Sequence, residues 1–290
     1  MIAAKNTIFS TKTTLNCGGK LIDLSTPQLM AIINVTPDSF YDGGLLKNEK
    51  NLLSHAEQML KEGAAIIDVG GMSSRPGSTP VAEDEELGRV IPAITAIHKN
   101  FPTAIISVDT WRSVVAKEAV VSGASMVNDI SAGTLDPPLW QSVAALKVPY
   151  VLMHMQGNPM TMQQEPFYED VLKEVVDFFK IKILELNAIG IHDILLDPGF
   201  GFGKTVEHNY QLLQGLSTFG IFGLPLLVGV SRKSLICKVL KVNPDKALNG
   251  TTALNTIALL KGASILRVHD VKEAKEAIEL TEELKNAAIV

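Results

Sequence analysis

Residues 194–204 carry the most chemistry of any short stretch in the chain, reading Ile-Leu-Leu-Asp-Pro-Gly-Phe-Gly-Phe-Gly-Lys. The apolar start predicts a buried parallel strand that ends at Asp197, because the proline and glycine that follow interrupt a sheet. A carboxylate before a glycine-rich loop suits a flat ligand, since backbone can approach it closely while aromatic rings pack on it. Alternatively, Asp197 caps a turn and Phe200 and Phe202 are core residues. The stretch alone favours neither interpretation.

Mostly polar residues also stand where the other apolar runs end. They are Asn34, the loop 71–76, Asp109, Asn128, Met153 with His154, Asp197, the triplet 231–233, Arg267 and His269. Turn formation alone would favour glycine, asparagine, aspartate and serine. Lys233, Arg267 and His269 do not fit that explanation, so these run ends are predicted to bind a ligand.

Four of these residues suit a neutral heterocycle with an amidine-like edge. Asp109, Asn128, Asp197 and Lys233 combine donors and acceptors, and a carboxylate can accept two parallel N–H bonds from such an edge. Each also has an ordinary alternative: Asp109 can cap the following helix, and Asn128 can be a turn residue. Those alternatives weaken when the four are taken together.

A second set suits a phosphate or a metal-bound phosphate. It consists of Arg75, Arg267 and His269, together with Asn34. The chain has a formal net charge of −5, so an anion site must be built from a few local cations and helix N-termini. Arg267 alone could equally extend along an apolar surface towards solvent.

Two stretches approach known nucleotide-binding patterns without matching them. Residues 199–205 resemble a phosphate-binding P-loop, but they are one residue too short and position 198 is proline. Their glycine spacing also differs from that of a dinucleotide fingerprint. His154 and His192 are isolated and are interpreted as structural. The order of residues suggests no serine–histidine–aspartate triad.

A repeated strand–helix pattern carries these residues. Apolar runs predict strands at 29–33, 63–68, 104–109, 123–129, 148–154, 194–197, 225–230 and 262–269. Helical periodicity predicts helices near 48–62, 81–99, 112–122, 168–188 and 207–218, and a last helix that ends at Gly262. Glycines at the starts of three predicted strands suit helix caps that turn directly into a strand. The rhythm predicts an α/β fold, a (β/α)8 TIM barrel, with an open doubly wound sheet as the alternative. We expect one domain, residues 1–290, with a barrel core of about 28–285 and a small N-terminal β-hairpin near 17–24.

Composition limits the class of protein. Apolar residues make up 46% of the chain and charged residues 20%, which predicts a folded protein. The chain contains no lysine- or arginine-rich block, so nucleic-acid binding is disfavoured. No apolar run reaches about 18 residues and no signal peptide is recognisable, so a membrane span is not expected. Two distant cysteines, Cys17 and Cys237, favour a reduced, cytoplasmic protein.

Taken together, the strand-end motifs resemble those of the dihydropteroate synthase family. The matching stretches are 34–40, 68–77, 108–110, 128–130, 152–157, 197–204, 229–234 and 267–269. The resemblance covers about residues 20–285 in the same order. Two positions depart from the family pattern: Met72 stands where glutamate is usual, and Ser74 where threonine is usual. Ser74 keeps the hydroxyl, whereas Met72 changes the support of its loop.

The resemblance implies a homodimeric TIM barrel that is a target of sulfonamides. The implied reaction is the condensation of 4-aminobenzoate with 7,8-dihydropterin-6-ylmethyl diphosphate, with Mg²⁺ present. It implies catalytic roles for Asp109, Asp197, Lys233 and Arg267, and pterin binding by Asp109, Asn128, Met153, Asp197, Phe202, Gly229, Lys233 and Arg267. It implies 4-aminobenzoate binding by Phe40, Ser74, Arg75, Pro76 and Ser231, and diphosphate binding by Asn34, Ser74, Arg267 and His269, with Asn34 at the metal.

Two other activities share part of the pattern. A pterin-binding methyltransferase of methyltetrahydrofolate would keep the pterin carboxylates. It would not need the loop 73–77, the triplet 231–233 or the pair Arg267 and His269. A non-catalytic pterin carrier would show losses among these positions, and Met72 is the one change of that kind.

Overall fold

A computed structural model describes residues 12–35, 45–72 and 81–287 of the chain. The strands are β1 Thr14–Cys17, β2 Lys20–Asp23, β3 Gln28–Asn34, β4 Ile66–Gly70, β5 Ile105–Asp109, β6 Met126–Asp129, β7 Tyr150–Met153, β8 Ile194–Asp197, β9 Leu227–Val228 and β10 Ile265–Val268. The α-helices are α1 Leu45–Lys61, α2 Glu83–Asn100, α3 Ser113–Val121, α4 Leu139–Leu146, α5 Val171–Ala188, α6 Val206–Gln214, α7 Ser234–Leu240, α8 Leu248–Leu260 and α9 Val271–Asn286. Short 3-10 helices cover Leu216–Phe222 and Pro244–Lys246.

Eight parallel strands form one sheet in the order β8-β7-β6-β5-β4-β3-β10-β9. A parallel bridge between Leu196 and Leu226 joins β8 to the residues that lead into β9, and so brings the two ends of the sheet together. The helices lie between successive strands. This arrangement confirms the predicted (β/α)8 barrel and rules out the open sheet. The small antiparallel hairpin β1–β2 is confirmed as well.

The N-terminal end of the barrel is filled by one cluster of apolar side chains, here called the lower cluster. From the barrel strands it contains Met30, Ile66, Ile105, Met126, Val151, Leu195, Leu227 and Ile265. Leu15, Cys17, Ile22 and Leu24 of the hairpin segment pack against them. Because side chains alternate along a strand, these residues also mark which positions face the barrel interior. The hairpin therefore closes the end of the barrel opposite the strand tips.

Three glycines join a helix to the next strand as the sequence predicts. Gly63, Gly123 and Gly262 have φ angles of +107°, +116° and +97°, which favour glycine. Three helices, α4, α7 and α9, were absent from the predicted elements. α4 has only eight residues, and its C-terminal left-handed position is held by Lys147 rather than by the glycine that usually marks such an end. In the described part of the chain, no helix combines the length and apolar character needed to cross a membrane.

Leu15 tests the role of the hairpin. It is fully buried in the lower cluster, so Leu15→Ala is expected to lower the free energy of unfolding by about 2–5 kcal/mol through lost packing and a residual cavity. Leu21, on the same hairpin, is 73% exposed, and Leu21→Ala is expected to change stability by less than about 0.5 kcal/mol. Urea denaturation measures both variants. Equal stability of the two variants would show that the hairpin does not close the barrel.

Candidate active site

The interior of the barrel changes from apolar to polar two residues above the lower cluster. At that height β4, β6, β8 and β10 carry Asp68, Asn128, Asp197 and Arg267, all buried or nearly so. Interior layers of a TIM barrel take their four side chains from alternate strands, as these four do. They are called the polar layer below. The strand-end pattern identified three of them and missed Asp68.

Arg267 is held in this layer by two carboxylates. Its Nε donates to Asp68 Oδ2 at 2.7 Å and its Nη2 donates to Asp109 Oδ2 at 2.7 Å. Asn128 Nδ2 donates to the same Asp68 oxygen at 3.0 Å. Burial acts to lower the pKa of Arg267, but Asp68 and Asp109 outweigh it and raise the pKa above its ordinary value. Burial raises the pKa of Asp109 to about 7 against the opposing effect of Arg267.

Asp197 serves both as a turn acceptor and as a site residue. Its Oδ1 accepts a hydrogen bond from Gly199 N at 2.7 Å, so the turn interpretation was correct. Its carboxylate also interacts electrostatically with Lys233 and Arg267. Burial is the main influence on Asp197 and raises its pKa. The turn role is thus confirmed, and the position of Asp197 in the polar layer is compatible with the predicted ligand role.

Lys233 lies over the glycine-rich loop 199–203. Its Nζ donates to Phe200 O at 2.7 Å and lies 4.6 Å from the centre of the Phe202 ring, a cation–π contact. Burial lowers the pKa of Lys233 to about 8, although Asp197 acts to raise it. Phe200 is fully buried in the main core, whereas Phe202 packs at the strand tips. Of the two phenylalanines, only Phe202 is thus a site residue.

The shape of this loop is fixed by a buried lysine to which the sequence pattern assigned no role. Lys204 Nζ donates to the carbonyls of Gly199 and Phe202 at 3.0 Å and to that of His154 at 3.2 Å. It also lies 3.0 Å from His154 Nδ1, so His154 is structural, as predicted. Gly199 has φ +70°, and a Cβ there would lie 1.9 Å from His154 O. The loop is therefore pressed against the end of β7.

One wall of the site is apolar. Ile130, Met153, Met162 and Phe202 form a small cluster separate from the main core. Met162 comes from the loop between β7 and α5 and is buried, and the strand-end pattern contained no signal for it. An apolar wall beside carboxylates and an amide suits a flat ring with a polar edge.

Four more predicted residues lie at the tips of β3, β5, β9 and β10. A Cβ placed on Gly70 would be 3.6 Å from Asp109 Oδ2 and 3.7 Å from Asn34 Oδ1, so these oxygens converge beside a glycine. Ser231 Oγ and His269 Nδ1 are 3.0 Å apart, and His269 N donates to Ser231 Oγ at 3.2 Å. The hydroxyl of Ser231 thus fixes the histidine.

Five predicted residues remain: Gly229 of the pterin set, and Phe40, Ser74, Arg75 and Pro76. Gly229 follows β9, and a Cβ there would lie 3.7 Å from both Arg267 Cβ and Lys233 Nζ, which places Gly229 within the site. Phe40, Ser74, Arg75 and Pro76 lie outside the described residues. The structure thus brings together the predicted ring-binding residues and the described part of the phosphate set.

Comparisons with known proteins show the family of the chain. A family model described as pterin binding enzyme matches residues 30–269, and the chain belongs to that family. The dihydropteroate synthase of Escherichia coli (strain K12) is 48% identical over 266 residues, covering 91% of this chain and 94% of that protein. The Yersinia pestis dihydropteroate synthase, solved in a complex with a sulfonamide drug, is 46% identical with a TM-score of 0.89, covering 94% of this chain and all of that one. The Xanthomonas albilineans dihydropteroate synthase with 4-aminobenzoic acid is 39% identical with a TM-score of 0.89, covering 96% and 100%.

Asp197→Asn separates the turn role from the ligand role. Asparagine keeps an acceptor for Gly199 N, so the melting temperature is expected to change little. The charge and one ligand acceptor are lost, which is worth roughly 3 kcal/mol, so pterin affinity is expected to fall about 100-fold. Isothermal titration calorimetry with a pterin measures this affinity.

Asp193→Asn is the matched control at the other end of the same strand, where Asp193 pairs with Lys12. It is expected to leave pterin affinity unchanged. Unchanged affinity in Asp197→Asn would return Asp197 to a turn role alone.

Proposed function

We propose that this chain catalyses the dihydropteroate synthase reaction, joining 4-aminobenzoate to 7,8-dihydropterin-6-ylmethyl diphosphate with release of pyrophosphate. The observation that carries the proposal is the convergence of Asp109, Asn128, Asp197 and Lys233 beside Arg267, which lies between two carboxylates. This arrangement offers hydrogen-bond donors and acceptors to the polar edge of a pterin ring. It also places cations beside that edge, where they can stabilise the departing diphosphate. Relatives named dihydropteroate synthase align with nearly the whole chain.

The pterin is assigned to the polar layer and the apolar wall. Asp109, Asn128, Asp197 and Lys233 meet its polar edge, and Met153, Phe202 and Gly229 border its faces together with Arg267. A carboxylate facing an aminopyrimidinone edge can accept two N–H bonds, which orients the ring as well as binding it.

Departure of the diphosphate leads the chemistry, because an aromatic amine is a weak nucleophile. The methylene C–O bond breaks with its electron pair going to the diphosphate, and the pterin shares the positive charge left on the methylene carbon. The amine nitrogen then forms the C–N bond and loses its proton to solvent. Asp109 and Asp197 face the electron-poor ring and stabilise this charge, since preorganised charges act strongly in a buried site.

The diphosphate is assigned to Arg267, His269 and Asn34, with Ser74. Among the described residues no cluster of three acidic, histidine or cysteine side chains could hold a metal by itself. Mg²⁺ commonly takes one or two protein oxygens and completes its shell with substrate phosphates and water. The side-chain oxygen of Asn34, which lies beside Gly70 at the tip of β3, suits that coordination, so Asn34 would hold the ion. When bound, Mg²⁺ would neutralise charge on the departing diphosphate.

The 4-aminobenzoate is assigned to Phe40, Arg75, Pro76 and Ser74, with Ser231 at the border of the site. The contact between Ser231 and His269 supports a shared boundary between this substrate and the diphosphate. In the sequence the other four residues follow β3 and β4, whose tips carry Asn34 and Gly70. This geometry supports delivery of the amine to the methylene carbon from the strand-tip side.

We also propose a homodimer. Its support is a set of exposed apolar side chains on α8 and α9, two helices that pack on one another: Ile257, Leu260, Leu280 and Leu284. Exposed apolar groups gathered on neighbouring helices are typical of an interface. A monomer in sedimentation equilibrium at micromolar concentration would overturn this part of the proposal.

The reaction is tested by following pyrophosphate. Release is expected to need the pterin diphosphate and 4-aminobenzoate together, to fall when Mg²⁺ is chelated, and to match the dihydropteroate formed one to one. Omitting 4-aminobenzoate gives the control for simple hydrolysis. Release at the same rate without 4-aminobenzoate, or none with both substrates, would contradict the proposal.

A further inference from the structure

Asp68 lies in the middle of β4, is fully buried, and joins two site residues from opposite sides of the barrel. One oxygen, Oδ2, accepts from Arg267 Nε at 2.7 Å and from Asn128 Nδ2 at 3.0 Å. Arg267 is on β10, two strands from β4 in one direction, and Asn128 is on β6, two strands away in the other. A single carboxylate therefore links the side assigned to the diphosphate with the side assigned to the ring.

We propose that Asp68 is a positioning residue of the reaction. It orients Arg267 for the diphosphate and Asn128 for the pterin ring, and acts through these two residues rather than by touching substrate. This inference rests on the proposed function, because the two ligand groups are those of that reaction.

For Asn128, Asp68 decides which end of the amide faces the ligand. A carboxylate only accepts hydrogen bonds, so the Nδ2 of Asn128 must be the end that faces Asp68. The carbonyl Oδ1 then points away from Asp68 and is left as an acceptor for ring N–H groups. Without the carboxylate, the amide could turn and present donors to donors.

For Arg267, Asp68 fixes the plane of the guanidinium. Nε and Nη2 bind two different carboxylates, which holds a planar fork in one orientation. If Asp68 were absent, Arg267 could turn to pair with both oxygens of Asp109. Asp109 would then lose the acceptor that the ring edge needs. Asp68 therefore keeps Asp109 available for the pterin while it holds the arginine in place.

Asp68→Asn is the isosteric test of this role. Asp68 Oδ1 is buried and accepts no hydrogen bond from the described residues. In one orientation, Asp68→Asn places its amide nitrogen at this unpaired position. In the other orientation it would face the donors of Arg267 and Asn128. In the first orientation the amide oxygen can still accept from Arg267 and Asn128, but the negative charge that pairs with the guanidinium is lost, so Arg267 is drawn towards Asp109. In the second orientation both partners are displaced.

We expect kcat/KM for the pterin diphosphate to fall about 100-fold in Asp68→Asn, because a misplacement of about 1 Å in oriented reacting groups has that size of effect. The Michaelis constant for the aminobenzoate substrate is expected to stay within about twofold, since Asp68 acts on the groups that hold the pterin and the diphosphate. If Asp68 had only a structural role, Asp68→Asn would lower the amount of folded enzyme. The kcat/KM for the pterin diphosphate and the Michaelis constant for the aminobenzoate would then be unchanged per folded molecule.

Ser107→Ala is the matched control. Ser107 is the register partner of Asp68 on β5, is equally buried, and its Oγ makes no hydrogen bond with the described residues. It is expected to keep full activity. Equal losses in Ser107→Ala and Asp68→Asn would overturn the proposal, because any change in that region would then have the same effect.

A double-mutant cycle tests whether Asp68 acts through its partners. In an Arg267→Lys background, Asp68→Asn is expected to cost less than about one third of its effect in the wild type, because the residue to be oriented is already changed. Full additivity would overturn the proposal. If Asp68→Asn does not fold, Asp68→Glu decides: it keeps the charge but lengthens the arm, and kcat/KM is expected to fall about 10-fold. Full activity of Asp68→Glu would contradict the role.

Failure of the proposed function is distinguishable from failure of this inference. If the wild type releases no pyrophosphate, calorimetry with a pterin replaces the assay. Asp68→Asn is then expected to weaken pterin binding at least 10-fold relative to Ser107→Ala, through Asn128. Equal pterin affinity of these two variants would overturn the role of Asp68 whatever reaction the chain catalyses.

Discussion

The ion pairs of Arg267 with Asp68 and Asp109 impose the strictest physical constraint on this barrel. A buried guanidinium without partners would be costly, and two carboxylates without a cation between them would repel one another. The three groups therefore fix each other, and they come from three strands: β4 and β5 are adjacent, and β10 is separated from β4 by β3. Any displacement of β4, β5 or β10 would leave a buried charge unpaired. This makes the geometry of the site a property of the closed barrel rather than of one loop.

The polar layer is tolerated because the lower cluster supplies apolar packing directly beneath it. The hairpin adds four apolar side chains there and closes the end of the barrel that takes no part in the chemistry. A second constraint acts at the tips, where the ammonium of Lys204 gathers three carbonyls and presses the glycine-rich loop onto β7. Burial lowers the pKa of this lysine to about 7, while Asp197 acts in the opposite direction. Rigid support of this kind keeps the residues that contact a ligand in their binding positions.

The sequence predicted the barrel because its signals are local and repeated: apolar runs, helical faces and glycines that join them. It predicted most of the site for a related reason, since the residues at strand ends were unusual for turns. Asp68 was missed because it lies in the middle of β4 among apolar residues. In the sequence, a single carboxylate at such a point is easily taken for the end of the apolar run that predicts the strand. Counting every second residue on alternate strands would have placed it with Asn128, Asp197 and Arg267. The partners of Lys204 are backbone carbonyls, which no pattern of side chains can specify.

The limits of prediction at other points have similar causes. The short helix α4 has neither the length nor the glycine cap that marks helices in a sequence, and its position is set by packing against its neighbours. Asp197 showed two plausible roles in the sequence, and only the three-dimensional structure revealed that its two oxygens allow both. Pairings such as Ser231 with His269 depend on the register of neighbouring strands, which one sequence does not reveal.

A crystal structure with a bound 6-substituted pterin tests the central claim most directly, namely that the polar layer is the ring-binding site. We expect the ring beside Phe202, with its polar edge on Asp109 and Asp197 and on the Oδ1 of Asn128, while Asp68 keeps its bonds to Asn128 and Arg267. A ring bound away from the polar layer, or an Asn128 that presents its Nδ2 to the ring, would contradict the account.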